Sequence, residues 1–136
     1  MNHFGRVFHK HVTPKDGGAV QSWMAARVEP HLTNTWNFCH GGALLTMAEA
    51  GVALPAWDPA GPPLVAVDMT MQFIAAPKLG DLVEVCGTIS KRTRTLCFTR
   101  AEGYVNGEIV FIATSIQKTI VRSQSIDSKM DAAKTG

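Results

Sequence analysis

The chain has 136 residues, of which 46% are apolar and 18% charged, and its net charge is +2. That balance predicts one globular domain with a core of its own and excludes a disordered chain. The small charge gives no electrostatic footprint for nucleic acid or a membrane surface, and no apolar run reaches the ~18 residues of a membrane span.

Taken in chain order, residues 1–18 are mixed and poorly patterned and read as an N-terminal segment. Their opening, MNHFGRVFHKHV, lacks the apolar core of a signal peptide. DGG at 16–18 is a turn signal. Residues 19–29 read as extended, and Pro30 to Asn37 as a loop. A helix is predicted from about Gly41 to Ala56, with Pro55 fraying its last turn and the proline cluster at 59–63 ending it. In LVAVDMTMQFI, Val65, Val67, Met69, Met71 and Phe73 alternate with Ala66, Asp68, Thr70 and Gln72, the period of a half-buried strand. PKLGD (77–81) is a turn. DLVEVCGTIS is a second strand, with Val83, Val85 and Ile89 on one face. KRTRT (91–95) is a basic connection, and TLCFTRAEGYV is a third strand. The Asn106–Gly107 pair is a hairpin turn, and EIVFIATSIQKTI is a fourth strand. The small, polar tail (122–136) has the composition of a disordered segment.

Every link after the helix is short, which favours antiparallel pairing. The helix is apolar nearly all round, so a sheet must wrap it. The expected fold is α+β: a curved antiparallel sheet of five or six strands around one long central helix, spanning 19–121.

That helix carries one carboxylate, Glu49. No Lys or Arg lies three or four residues away, so a local ion pair is excluded. Either Glu49 follows a narrow exposed stripe or meets a distant Arg, or it is a catalytic carboxylate tuned by burial. The helix opens on His40-Gly41-Gly42. Its first-turn N–H groups have no intrahelical acceptor, and glycines let a ligand approach, so this end can hold a developing oxyanion. The alternative is that both glycines relieve a crowded packing contact. Gly41 and Glu49 lie eight residues apart, roughly 12 Å along one helix. Both groups must come within about 3 Å of one carbonyl carbon, which a single helix does not allow. Two antiparallel copies in a twofold dimer do.

These residues resemble the hotdog-fold acyl-CoA thioesterases of the phenylacetate-degradation (PaaI) type. The resemblance rests on Asn34, six residues before the His of HGG, on Glu49, nine residues after it, and on the following VAVDM strand. It covers about 19–120. It implies a hotdog fold and hydrolysis of an acyl-CoA thioester, with Glu49 as general base or nucleophile. It also implies Gly41 N–H as the oxyanion donor and Asn34 as the residue orienting the acid or the water. His40 and Gly42 would be supporting residues, and no cofactor is implied beyond the coenzyme A of the substrate. The family's partnership is a homodimer with shared sites, and in some members a dimer of dimers. Three positions depart from the family pattern. Asn37 stands where Gly is frequent, Ala53 where a Ser or Thr often holds water, and Ala66 where a Ser or Thr is sometimes found. Asn tolerates a left-handed backbone best among non-glycine residues, so the loop can survive.

Lys91, Arg92 and Arg94 are candidates for contact with the coenzyme A phosphates, or form a solvated hairpin. Trp36 and Phe38 are candidates for an acyl pocket, or pack in the core. His3, His9 and His11 lack a fourth ligand at metal spacing, so no metal site is expected. Cys39, Cys86 and Cys97 are an odd count without metal spacing and read as free thiols in a reducing cytoplasm. Two rival readings stay open: a hotdog enoyl-CoA hydratase or dehydratase using His40 and Glu49, and a non-catalytic acyl-CoA binding module.

Overall fold

The computed structural model describes residues 7–120. His3 and the tail at 122–136 lie outside the described residues. The strands are β1 (Val7–Val12), β2 (Gln21–Arg27), β3 (Leu64–Phe73), β4 (Leu82–Arg92), β5 (Leu96–Val105) and β6 (Glu108–Thr119), with one α-helix, α1 (Gly41–Ala53), between β2 and β3. They form one sheet in the order β1-β2-β4-β5-β6-β3. Every neighbouring pair is antiparallel.

Short links make β4, β5 and β6 a meander, whereas β3 pairs with β6 and not with β4, so the four strands after the helix do not form one continuous meander. Asn106 and Gly107 both take positive φ (51° and 79°), the backbone of a two-residue hairpin whose twist matches its strands. Lys91 and Arg92 belong to the end of β4, so the connection to β5 shrinks to residues 93–95. α1 lies on the inner face. Leu44, Met47, Ala48 and Val52 pack with Met24, Val83, Val85, Ala101 and Phe111 in one core. The helix approaches β4 most closely at two glycines. A Cβ on Gly51 would strike the Val85 side chain, and one on Gly87 would strike the Gly51 carbonyl. Beyond Ala53 the helix tightens into a 3₁₀ turn, Leu54–Ala56, which contains Pro55.

The structure departs from the sequence reading in three places. Residues 7–12, read as unpatterned, form edge strand β1. Most of its side chains are exposed on both faces, so it has no period-2 signal. In β3 a bulge falls between Ala66 and Asp68. Directly paired residues share a face, and Ala66 pairs with inner-face Gln117 while Met69 pairs with inner-face Ser115. Ala66 therefore joins Met69, Met71 and Phe73, and the uninterrupted alternation predicted for this strand fails at Val67. Finally, the sheet covers only one side of α1. Gly42, Leu45, Thr46, Glu49 and Ala50 are exposed in the single chain.

Candidate functional site

The loop before α1 is organised by Asn34. Its Oδ1 accepts the N–H groups of Trp36 (2.9 Å) and Phe38 (3.2 Å), and its own N–H donates to the Phe38 carbonyl (2.9 Å). Asn37 takes φ 61°, a left-handed backbone that Asn tolerates best among non-glycine residues. The PKLGD turn then clamps the loop: Leu79 N–H donates to Asn37 (2.8 Å) and Cys39 N–H to Pro77 (2.6 Å). Asn34 therefore spends its carbonyl on the loop. Its amine donates to no atom among the described residues.

His40 is the N-cap. Its Nδ1 accepts the Gly42 N–H at 3.2 Å, so the neutral ring carries its proton on Nε2. The His40 carbonyl takes the N–H groups of Ala43 (3.0 Å) and Leu44 (3.1 Å). Of the first-turn donors, only Gly41 N–H is left without an acceptor among the described residues. The space beside it is open: a Cβ there would meet only the Phe73 ring, at 3.9 Å. One at Gly42 would reach His40 Nδ1 at 3.5 Å, so crowding within the chain explains neither glycine. Burial pushes the Cys39 thiol up to about 11. Its Sγ rests on the His40 carbonyl at 3.7 Å, so it is a packed thiol and not a nucleophile.

Glu49 sits two turns further along, on the exposed stripe of α1. It forms no ion pair among the described residues. It lines a groove of about 730 Å³ between the second half of α1 and the start of β3, together with Ala53, Trp57, Val65, Ala66 and Gln117. Ala53 and Ala66 thus both stand in the groove that holds the acid.

The structure gathers the other candidates unequally. Asn34, Trp36, Phe38, His40, Gly41 and Gly42 cluster at the helix start, with Trp36 76% exposed. Neither Trp36 nor Phe38 lines the Glu49 groove. The basic cluster divides. Lys91 pairs with Phe98 and Arg92 with Cys97, so the two side chains leave opposite faces of the sheet. Arg92 reaches over the helix end, donating to the Ala56 carbonyl at 3.4 Å, and Arg94 is exposed in the turn. Among the described residues no group of three or more His, Cys, Asp or Glu is placed to hold a metal ion. No helix among them is long and apolar enough to cross a membrane.

Two groove residues escaped the sequence reading. Trp57 lies in the loop after the helix, without periodicity to mark it. Gln117 left a trace: it is a polar residue on the inward face that begins with Phe111 and Ala113.

Comparison with known proteins agrees with this architecture. The family model of the thioesterase superfamily matches residues 37–112. Among curated proteins none matches. Three solved structures illustrate the shared fold. A mutant of the phenylacetic acid degradation protein PaaI of Thermus thermophilus is 21% identical and has a TM-score of 0.71, over 84% of this chain and 93% of that one. A hypothetical thioesterase of Streptococcus pneumoniae, solved with coenzyme A, is 18% identical with a TM-score of 0.72, over 89% and 94%. Zebrafish thioesterase superfamily member 2 is 23% identical with a TM-score of 0.69, over 85% and 81%. The six-stranded sheet with its one helix is therefore the hotdog fold. The chain belongs to the thioesterase superfamily.

Proposed function

We propose that this protein hydrolyses an acyl-CoA thioester to a free acid and coenzyme A, in sites shared by two antiparallel copies. One observation carries the reading. Gly41, whose N–H lacks an acceptor among the described residues, and Glu49 both lie on the side of α1 that the sheet leaves uncovered. Edge strand β3 continues that surface with Val65 at 44% exposed, Val67 at 53% and Phe73 at 56%. An apolar strip beside an unpaired strand edge suits a second copy of the chain. A twofold axis there brings Glu49 of one copy towards Gly41 of the other.

In this mechanism Gly41 N–H polarises the thioester carbonyl. Glu49 takes a proton from water as the new C–O bond forms, or attacks the carbonyl itself. By the first route the C–S bond then breaks and the leaving thiolate recovers that proton. By the second the C–S bond breaks to leave a mixed anhydride with Glu49, which water cleaves to the free acid and a protonated Glu49 whose proton passes to the thiolate. Asn34 holds the loop and offers its free amine to the acid or the water. Arg92, Arg94 and Lys91 are the proposed contacts for the coenzyme A phosphates, and Trp36 and Phe38 for the acyl group. Water, a carboxylate and an amide N–H suffice for this chemistry, so no metal or redox cofactor is required. The coenzyme A in the S. pneumoniae relative supports this substrate class. The commitment of His40 Nδ1 to Gly42 supports a structural role for that ring over proton transfer to an enoyl-CoA.

The test is a thiol-release screen over short, medium, long and aryl acyl-CoAs, run with light-scattering measurement of mass. Turnover should be found in a dimer or larger assembly. Glu49→Gln should lower kcat about 10²–10⁴-fold while the assembly survives. Full turnover in both Glu49→Gln and Glu49→Ala, or activity in a lone monomer, would overturn the reading. Coenzyme A binding without thiol release would instead favour a binding module. Hydration of an enoyl-CoA, which frees no thiol, would favour the hydratase.

A further inference from the structure

We propose that Gln117 positions the hydrolytic water, taking over the task of the hydroxyls absent at Ala53 and Ala66. The inference rests on the thioesterase reading above.

Gln117 is only 2% exposed, yet it lines the same groove as Glu49. It sits directly opposite Ala66 in the β3–β6 pairing, so the alanine that lacks a hydroxyl has this amide as its neighbour. Apart from Glu49 and the indole of Trp57, Gln117 is the only polar side chain among the described residues that line the groove.

The amide has a forced orientation. Ser115 Oγ lies 2.8 Å from the Asp68 carbonyl, and a carbonyl only accepts. The single proton of the Ser115 hydroxyl is therefore spent on Asp68. Towards Gln117, 2.7 Å away, Ser115 can only accept, so Gln117 must turn Nε2 to it. Oε1 then faces the other way. It accepts no hydrogen bond among the described residues. Only Thr99 Oγ1 is both shut off from solvent and unpartnered among the described side chains, so Gln117 Oε1 opens on the groove, an acceptor available to a donor there. The β3 bulge between Ala66 and Asp68 lies beside this chain of bonds.

Water suits the pair. One O–H donates to the Glu49 carboxylate, which removes that proton as the C–O bond forms. The other O–H donates to Gln117 Oε1 and stays on the oxygen during attack. With both protons so held, a lone pair is left to face the thioester carbon.

The test compares steady-state kinetics on the best substrate of the thiol-release screen. Gln117→Met keeps the shape and removes the acceptor. It should lower kcat about 10–100-fold, with KM within about threefold of wild type and the assembly intact. A crystal structure of the wild-type protein should show a water bridging Glu49 and Gln117 Oε1, absent in the variant. If Gln117→Met does not fold, Ser115→Ala takes its place. It frees the amide to rotate and should lower kcat about three- to tenfold at unchanged KM. Unchanged kcat in the folded variants, or a rise in KM alone, overturns the role of Gln117 and leaves the thioesterase reading standing. A wild-type protein that releases no thiol from any member of the panel overturns both.

Discussion

His40 Nδ1 accepts the N–H of Gly42 at 3.2 Å, and this bond decides which glycine can serve a ligand. Gly42 is consumed by the cap, and Gly41 alone keeps a donor directed out of the helix start. His40→Ala should lower stability by about 1 kcal/mol, the usual worth of an N-cap. It should also lower kcat about tenfold, because the turn presenting Gly41 loosens. His40→Asn, another good capping residue, should recover the stability. Thermal melts and thiol-release kinetics on both variants test this. An unchanged melting temperature in His40→Ala would show that the His40 ring does not cap the helix.

Asn37 offers a second handle on the same loop. With φ at 61° and its carbonyl accepting the Leu79 N–H, it holds a left-handed turn against the 77–81 segment. Asn37→Ala should cost about 1 kcal/mol, because a Cβ without a local hydrogen-bonding group gains nothing in that region. Asn37→Gly should stay within about 0.5 kcal/mol of wild type, relief of strain offsetting the entropy of the unfolded chain. Denaturant melts give both values. An Asn37→Ala variant as stable as wild type would mean that the loop tolerates another backbone.

The ease of reading Asn37 from sequence contrasts with what stayed hidden. Its conformation is a local property of one residue type, and so is that of the Asn106–Gly107 turn. β4 through β6 were equally legible, since short links and alternation are local too. The apolar residues of α1 announced a wrapped helix, but not which of its sides the sheet would leave bare. β1 was illegible because an edge strand exposed on both faces has no hydrophobic period. The β3 bulge was illegible because an inserted residue changes the register without changing composition. Gln117 faces inward by the alternation of β6, but that Ala66 stands opposite it on that face depends on the bulged register of β3.

Thr99 tests the inner face one strand further from the groove, directly opposite Ser115. Its Oγ1 is buried and has no partner among the described residues. Thr99→Val keeps the shape and removes the orphaned hydroxyl. Stability should rise by about 1 kcal/mol, the cost of leaving such a group unpaired. Urea denaturation at equal protein concentration measures the change. A loss of stability greater than about 1 kcal/mol would show that the hydroxyl is hydrogen-bonded in solution.

The outer face offers a spectroscopic test, because the chain has one tyrosine. Tyr104 donates its phenol to Glu102, which also pairs with Arg100 at 2.8 Å. The phenol is pushed up to about 12, first by the hydrogen bond to Glu102, then by burial and the Glu102 charge. Hydrogen bonding to Tyr104 and then to Arg100 lowers the Glu102 carboxyl in turn. The sign follows from which state binds the proton longer. Unfolded Tyr titrates near 10, so its contribution to stability is complete below about pH 10. That contribution is lost as pH rises through about 12, where the folded phenol finally ionises. Absorbance near 295 nm should therefore show the phenolate appearing well above pH 10 while the protein stays folded. Glu102→Gln keeps an acceptor but removes the charge, and should move the transition back towards 10. A wild-type midpoint near 10 would mean that the Tyr104–Glu102 bond does not persist in solution.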